Sequence, residues 1–302
     1  MNVKSQKTAY PPSVWLALLS VYLVWGSTYL GIRLAVASIP PFLMAGTRFL
    51  VSGVLLFLLM MGRGEKKPTV SQWRSATIIG FLLIVVANGG VSWIEQKVPS
   101  GITALLVGTV PLWIVILEWL GRKGNRPGIQ VWAGIILGLL GIALLVFGRK
   151  EPGELEVNPL GAAGLVCTSF VWALGSLYAR KAELPPSALL ATSMEMIMGG
   201  ILQLIVALGL GEFSRFHPLQ VTVLSFEAWI YLTLVGSMVG FTSYIWVLQK
   251  SNPELASTYA FVNPVIAVLL GWLFAGEQLT PILFIATSLI VGAVVLITLR
   301  RK

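Results

Sequence analysis

Residues 93–97 have the sequence Trp-Ile-Glu-Gln-Lys, and residues 246–250, which lie 153 positions later, have the sequence Trp-Val-Leu-Gln-Lys. In each copy a proline follows 18 residues after the Trp, as Pro111 or Pro264, and a Trp-Leu pair follows eight residues after the proline. Chance similarity between apolar helices would match Leu and Val, but it would not match Trp, Gln, Lys and Pro at one offset. The stretch therefore predicts an internal duplication of about 150 residues.

Further matches extend the duplication over the chain. They are Trp25 to Arg33 with Trp172 to Arg180 at an offset of 147, Pro40-Pro41 with Pro185-Pro186 at 145, and Gly138 with Gly292 at 154. Small changes of offset are typical of insertions in loops. The sequence thus divides into two repeats, residues 1–150 and 151–302, which together form one membrane domain.

The composition is that of a membrane protein. Hydrophobic residues make up 56% of the 302 residues and charged residues only 11%, whereas soluble domains carry about 25% charged residues. A helix crosses a bilayer with roughly 20 apolar residues. That criterion predicts an all-α integral membrane protein with ten transmembrane helices, at 13–34, 41–61, 75–94, 100–120, 129–147, 160–180, 187–210, 227–248, 253–274 and 281–299.

The distribution of basic residues predicts the topology. With the N-terminus in the cytoplasm, 15 of the 21 Lys and Arg residues lie on the inner side and five on the outer side, and Arg48 lies within a span. This bias favours a multi-pass protein with both termini in the cytoplasm. Because each repeat has five spans, an odd number, equivalent helices run in opposite directions. Two inverted five-helix repeats are suited to alternating access.

Several short motifs, in their order and spacing, resemble the EamA branch of the drug/metabolite transporter superfamily, and within it the YedA-like permeases. These motifs are Trp25-Gly26-Ser27-Thr28-Tyr29, Pro40-Pro41 to Arg48-Phe49-Leu50, Val98-Pro99-Ser100-Gly101-Ile102, Tyr259-Ala260-Phe261-Val262-Asn263-Pro264-Val265 and Gly276-Glu277-Gln278-Leu279-Thr280. The resemblance spans nearly the whole chain. It implies ten helices around a central cavity and export of amino acids, metabolites or drugs across an inner membrane. One departure is Gly124, which stands where Glu277 would map in the first repeat.

Aromatic and small polar residues near the middle of the spans are candidates for the solute site. Trp25 and Trp172 each lie about twelve residues into the first helix of a repeat, where an amphipathic ring suits an apolar or cationic solute. Packing between helices is the alternative role for each member. The predicted substrate-binding residues are Trp25, Ser27, Tyr29, Asn88, Ser92, Trp172, Ser176, Tyr178, Tyr244, Tyr259 and Asn263.

A polar stripe on the third span belongs to this set. Asn88, Ser92 and Glu95 are spaced i, i+4 and i+7, so they share one helix face that is predicted to line the cavity. The alternative for Glu95 is a carboxylate in water at the end of the helix. In the fourth and ninth spans Pro111 and Pro264 are predicted hinges or broken-helix sites, with simple kinks as the alternative.

Charged residues within the spans are candidates for coupling or for a polar tie. An ionisable side chain at the depth of Arg48 costs on the order of 3 kcal/mol to insert, so it is expected to face protein or water. Glu195 occupies a near-equivalent place in the seventh span, and one water could bridge the two side chains. The alternatives are a fixed tie between the repeats and a role in binding substrate or protons. Glu95 and Glu118 complete the coupling set.

Packing elements are predicted in the fifth and tenth spans. Gly134, Gly138 and Gly141 on the fifth span, and Ser288 and Gly292 on the tenth, form small-residue patterns that allow helices to approach closely. The sequence leaves open whether they pack within the chain or across a dimer.

The sequence therefore predicts a secondary transporter that exports small amphipathic metabolites, amino acids or drugs by alternating access around a midplane cavity. No phosphate loop, zinc motif or nucleophile elbow occurs, so we expect no enzyme activity, no cofactor and no metal site. Expected partners are the small solute, protons and the bilayer of the inner (cytoplasmic) membrane, not nucleic acid. The alternatives are a membrane-embedded enzyme and a non-transporting scaffold or receptor. The oligomeric state is not determined by the sequence, which is compatible with a monomer.

Overall fold

The computed structural model describes residues 10–121, 128–148, 158–251 and 258–298, and the described chain is helical with no strand. Its long helices are α1 Pro12–Ala35, α2 Pro41–Gly62, α3 Val70–Ile94, α4 Ser100–Leu120, α5 Ile129–Phe147, α6 Pro159–Ala179, α7 Ala188–Gly209, α8 formed by Val223–Tyr231, Leu232–Val239 and Gly240–Lys250, α9 Tyr259–Ala275 and α10 Pro281–Thr298.

Eight helices, α1 to α8, are long and apolar enough to cross a membrane. Two shorter apolar stretches, Val262–Ala275 and Pro281–Leu296, belong to α9 and α10. The start of the predicted ninth span at 253, the last residue of the tenth at 299, Gly124 and the boundary between the repeats at 150 all lie outside the described residues.

Capping residues explain why two helices begin earlier than hydropathy predicts. The hydroxyl of Thr69 accepts a hydrogen bond from the backbone N–H of Gln72, whose side chain accepts one from the N–H of Thr69, so α3 begins five residues before the predicted start at 75. Thr222 caps α8 by accepting from Ser225 N–H. Such caps satisfy backbone donors that are otherwise free at a helix start.

Glycines let α2 and α7 pack closely in opposite directions. A Cβ added to Gly46 would lie 2.9 Å from a side-chain carbon of Leu204, and a Cβ added to Gly53 would lie 2.8 Å from the backbone nitrogen of Ile197. Residue numbers therefore rise along α2 as they fall along α7. The two helices, which are second in their repeats, are antiparallel.

The fifth and tenth helices pack against each other in the same antiparallel way. Cβ atoms added to Gly138 and Gly141 would lie 3.5 Å from Ala293 Cβ and 2.6 Å from Ile290 Cγ1. These glycines thus pack within the chain, which answers the question that the sequence left open. Gly292 has no such contact within the chain, because a Cβ added there would meet no described atom within 4 Å.

In the remaining packing, the first helix of each repeat lies against helices of the other repeat. Helix α1 packs on α8 and α9, and its counterpart α6 packs on α3 and α4. Helices α3 and α8 share a further feature, because each contains a π-helical segment, Gly80–Asn88 and Leu232–Val239, whose starts lie 152 residues apart. The π-helical segments are rare structures that often occur at functional sites.

One connection between helices is anchored by a buried carboxylate. Glu212 is 2% exposed, and its Oε2 accepts a hydrogen bond of 2.7 Å from the N–H of Leu43 in the first turn of α2. Burial raises the pKa of Glu212, while the hydrogen bonds from the Leu43 and Phe42 N–H groups and the charge of Arg215 act in the opposite direction. The contact fixes the α7–α8 connection on the start of α2.

Candidate functional site

A cavity of about 450 Å³ lies at the centre of the helix bundle. Eight helices contribute to its lining, namely α1 to α4 and α6 to α9, while α5 and α10 pair with each other outside it. Both repeats therefore build one chamber. The sequence placed the site on α1, α3, α4, α6, α8 and α9, and the structure adds α2 and α7.

One wall of the cavity is an aromatic cluster around Trp25. The ring centroid of Trp25 lies 5.3 Å from that of Phe241, 4.9 Å from Tyr244 and 5.1 Å from Tyr259. Tyr244 and Tyr259 meet edge to face at 5.5 Å. Such edge-to-face and tilted arrangements are favourable for aromatic pairs. Three helices, α1, α8 and α9, are joined by these rings, and Trp172 of α6 lines the same cavity.

Twelve of the predicted site residues line the cavity. They are Trp25, Tyr29, Arg48, Asn88, Pro111, Trp172, Ser176, Glu195, Tyr244, Tyr259, Asn263 and Pro264. The other five, Ser27, Ser92, Glu95, Glu118 and Tyr178, are not part of the lining.

Ser27 and Glu118 form hydrogen bonds with residues outside the cavity lining. The Ser27 hydroxyl is engaged by the carbonyls of Leu23 and Val24 and lies 2.5 Å from the Tyr231 hydroxyl, so it joins α1 to α8. Glu118 accepts a 2.6 Å hydrogen bond from Arg180 in an ion pair whose side chains are 44% and 68% exposed. Neither side chain is directed at the cavity.

The polar stripe on α3 leaves the cavity after its first member. Asn88 lines the cavity, but Ser92 is fully buried and donates to the Asn88 carbonyl. Glu95 is 1% exposed, so the alternative of a carboxylate in water at the helix end is wrong. The three residues are spaced along one face, but of them only Asn88 belongs to the cavity lining.

A cluster of contacts surrounds Glu277 at the end of the bundle where α1 finishes and α4 begins. The Glu277 carboxylate accepts hydrogen bonds from Ser100 N–H at 2.6 Å, the Ser100 hydroxyl at 2.7 Å and Gly101 N–H at 3.0 Å. Arg33 Nε lies 3.7 Å from Glu277, and its guanidinium donates to the carbonyl of Val98 at 3.2 Å. An anion at a helix start is stabilised by free N–H groups and by the helix dipole.

The contacts of Glu277 were not predicted from the sequence. Its partners on α4 lie 177 and 176 residues away in the chain, so no local pattern indicates them. One local signal was present. Gly276 has φ 65°, the left-handed conformation that favours glycine at a helix end, and this turn carries Glu277 back towards the bundle.

Arg48 joins the two repeats, as one predicted alternative had it, but its hydrogen-bond partner is Ser237 and not Glu195. The side chain is 3% exposed, and its Nε donates to Ser237 Oγ at 3.0 Å. Its guanidinium carbon lies 4.6 Å from the centre of the Phe49 ring. Ser237 belongs to the π-helical segment of α8, so the tie holds α2 against that segment.

Glu195 lines the cavity from α7 and stands apart from other charged groups. None of the described residues forms a hydrogen bond or an ion pair with its carboxylate. A Cβ added to Gly80 would lie 2.7 Å from the Glu195 carbonyl oxygen, so close packing on α3 fixes this part of α7.

The two prolines have different local structures. In α4 the helix is interrupted between Val107 and Val110, and Pro111 stands in the first turn of the second segment. In α9 the helix continues through Pro264 without a break. A Cβ added to Gly108 would lie 3.0 Å from Pro264 Cγ, so the interruption in α4 lies against Pro264 at the cavity wall. Of α4 and α9, only α4 is therefore a broken helix.

No group of three His, Cys, Asp or Glu side chains that could hold a metal ion is found among the residues described.

Comparison with known proteins gives matches along the whole chain. The sequence profile of the EamA-like transporter family matches residues 12–147 and, a second time, residues 159–299. The chain is 41% identical over 286 residues to the uncharacterized inner membrane transporter YedA of Escherichia coli K12, with 94% of this chain and 90% of YedA covered. It is 24% identical to the uncharacterized transporter YoaV of Bacillus subtilis 168, with 96% and 99% covered.

A solved structure, described only as a crystal structure of a protein, has the same fold. Its TM-score is 0.65 at 19% identity, with 96% of this chain and 99% of that chain covered.

Proposed function

Because the chain belongs to the EamA-like transporter family, we propose that it is a secondary transporter that moves small amphipathic solutes by alternating access around the central cavity. Membership of this family makes the chain a transporter and not an enzyme. Metabolites, amino acids and drugs of amphipathic character are the proposed solutes.

The observation that carries this proposal is the cavity itself. It has a volume of about 450 Å³, which is within the range of small-molecule sites, and aromatic rings form one of its walls. Its lining comes from both repeats, so a movement of one repeat against the other changes the access to it.

Ten spans in two inverted repeats are part of the proposal. The family profile matches the chain twice, and α2 with α7 and α5 with α10 are antiparallel pairs of counterparts. The π-helical segments of α3 and α8 support the same arrangement, and so does the packing of the first helix of each repeat against the other repeat. Inverted repeats give two similar conformations that open to opposite faces.

The proposed location is the inner membrane, with both termini in the cytoplasm and solute moved outward. The excess of Lys and Arg on the proposed inner side and the location of YedA support this orientation. In this topology the Glu277 cluster lies at the outer end of the cavity. Its contacts must break when the cavity opens outward.

Protons are the proposed coupling ions, and Glu195 is the carboxylate placed to exchange them from the cavity. Glu95 is buried beyond the cavity, and Glu118 is bound to Arg180 in an exposed pair. We therefore assign coupling to Glu195 ahead of the other two carboxylates.

Solute flux in proteoliposomes tests the proposed function. Purified protein is reconstituted without nucleotide, and labelled amino acids, amines and cationic drugs are screened for uptake and for exchange against internal solute. We expect exchange of at least one amphipathic solute above that of protein-free liposomes. The absence of flux with every solute, under a proton gradient and without it, would contradict secondary transport.

A further inference from the structure

The charged side chains that line the cavity are few. Among the described lining residues only Arg48 and Glu195 carry a formal charge, and the remaining residues are apolar, aromatic or neutral and polar. The contacts that each of these two charges makes within the protein therefore bear on which solute the cavity can hold. A charge in a water-poor site is costly unless an opposite charge accompanies it.

Arg48 is held in place by the protein. Its side chain is 3% exposed, its Nε donates to Ser237, and its guanidinium lies on the Phe49 ring. Its Nη1 has no hydrogen-bond partner among the described residues. Arg48 is thus a buried cation whose position is fixed by α8 and by its own helix.

Glu195 has no such contacts. Its carboxylate has no hydrogen-bond donor and no ion-pair partner among the described residues. Its neighbours Thr192 and Met196 on α7 also line the cavity, so Glu195 lies on the face of α7 that borders it. An ionised Glu195 therefore offers the cavity a free carboxylate that an organic cation can neutralise.

The aromatic wall adds a second preference for a cation. Trp25, Tyr244 and Tyr259 form a cluster in the same cavity, and the faces of such rings attract positively charged groups. The rings also provide apolar surface for the body of a solute. The cation of the lining, Arg48, is 3% exposed and bound to Ser237 through Nε, so it is less accessible to a solute than these rings.

We infer that the solute is an organic cation, with its ammonium group at Glu195 and its apolar body against the aromatic rings. This inference rests on the proposed function, and it narrows amphipathic solutes to positively charged amines. The same carboxylate binds a proton when the amine is absent, so the amine and the proton compete for one group.

Binding of three matched indoles to the purified protein tests the inference. Tryptamine carries an ammonium group, indole-3-propionate carries a carboxylate on a similar chain, and 3-ethylindole is neutral. We expect calorimetry to give a Kd for tryptamine at least tenfold lower than that for indole-3-propionate. Glu195→Gln is expected to weaken tryptamine binding at least tenfold and to leave 3-ethylindole binding unchanged.

Two further variants keep the result interpretable. Glu195→Asp retains the charge on a shorter side chain and is expected to recover part of the tryptamine affinity. Glu183→Gln removes an exposed carboxylate that is bound to Ser71 outside the cavity, and it is expected to bind tryptamine like the unaltered protein. Melting temperatures of the variants show whether each is folded.

The possible outcomes separate the inference from the proposed function. Equal binding of tryptamine by Glu195→Gln, preference for indole-3-propionate, or failure of tryptamine to bind the unaltered protein would each overturn the cation inference. If tryptamine binds through Glu195 but no solute crosses the proteoliposome membrane, the transport proposal fails and cation recognition stands.

Discussion

Trp25 is the residue that joins most of the aromatic wall, because its ring contacts Phe241, Tyr244 and Tyr259. Aromatic and cation–π contacts contribute about 0.5–2 kcal/mol each beyond burial of area. Trp25→Ala is therefore expected to weaken binding of the transported solute by about tenfold. Trp25→Phe keeps a ring and is expected to lose less.

The measurement for this prediction is the concentration dependence of flux in proteoliposomes. Trp132→Ala is the matched control, since Trp132 is 42% exposed on α5 and packs on Trp119 away from the cavity. Unchanged flux kinetics in Trp25→Ala would show that the aromatic wall does not contribute to solute binding.

Glu277 holds three helices together at one end of the cavity through charge-assisted hydrogen bonds to Ser100 and Gly101 and an ion pair with Arg33. Glu277→Gln removes the charge and leaves buried donors with a weaker acceptor, at a cost of about 2 kcal/mol or more. We expect the melting temperature of the purified protein to fall by several degrees.

Glu118→Gln is the matched control for this change. The Glu118–Arg180 pair is exposed, and pairs of that kind contribute about 0–1 kcal/mol. Equal melting temperatures for Glu277→Gln and the unaltered protein would show that the contacts of Glu277 do not stabilise the fold.

At this scale the sequence predicted which residues lie at the depth of the cavity but not which way each side chain points. Trp25, Trp172 and Glu195 line the cavity, while Ser27, only two residues from Trp25 in α1, does not. A count of residues gives depth, whereas direction depends on which helices are neighbours. Glu277 and Ser237 have partners far along the chain, and only the fold brings these together.

Helix α5 packs on α10 through glycines whose positions on the helix decide their effect. Gly141→Ala would place a Cβ 2.6 Å from Ile290 Cγ1 and 3.2 Å from the Ala286 carbonyl oxygen, so the helices must move apart. Overpacking of this kind costs about 1–3 kcal/mol. We expect a lower melting temperature and less folded protein by size-exclusion chromatography.

Gly292→Ala supplies the matched control on α10. A Cβ there meets no described atom within 4 Å, and alanine favours a helix over glycine by up to about 1 kcal/mol. The melting temperature is expected to stay the same or to rise. A larger loss in Gly292→Ala than in Gly141→Ala would mean that the packing of α5 on α10 is wrong.

The helices themselves were largely predictable, because apolar runs of about 20 residues are a strong signal. Hydropathy could not reveal that Gly80–Asn88 and Leu232–Val239 are π-helical. A π-helix depends on an additional residue relative to its surroundings, and nothing in a single sequence marks that residue as additional. The break in α4 was predictable from Pro111, whereas Pro264 shows that a proline alone does not decide it.

In the whole molecule, the two segments that match the family, residues 12–147 and 159–299, both contribute helices to one chamber. The duplication could be predicted from the offsets near 150, since Trp, Gln, Lys and Pro recur together in both repeats. The shape of the cavity could not be predicted, because it depends on the distances between helices that are far apart in sequence. The contacts of its two charged residues also follow from the fold, in which Arg48 is bound to Ser237 and Glu195 has no hydrogen bond or ion pair among the described residues.

The accessibility of one cavity position from each side of the membrane tests alternating access. Thr168 of α6 lines the cavity, and its neighbour Cys167, the only cysteine in the chain, is exposed on the outside of the bundle. Protein with Cys167 alone and protein with Cys167→Ser and Thr168→Cys are treated with a membrane-impermeant thiol reagent in vesicles of both orientations. The native cysteine serves as the control at the same depth.

We predict that Thr168→Cys reacts from both sides of the membrane, that Glu277→Gln increases its reaction from the outer side, and that Cys167 reacts from neither. Reaction of Thr168→Cys from one side only, in the presence and in the absence of transported solute, would contradict alternating access around this cavity.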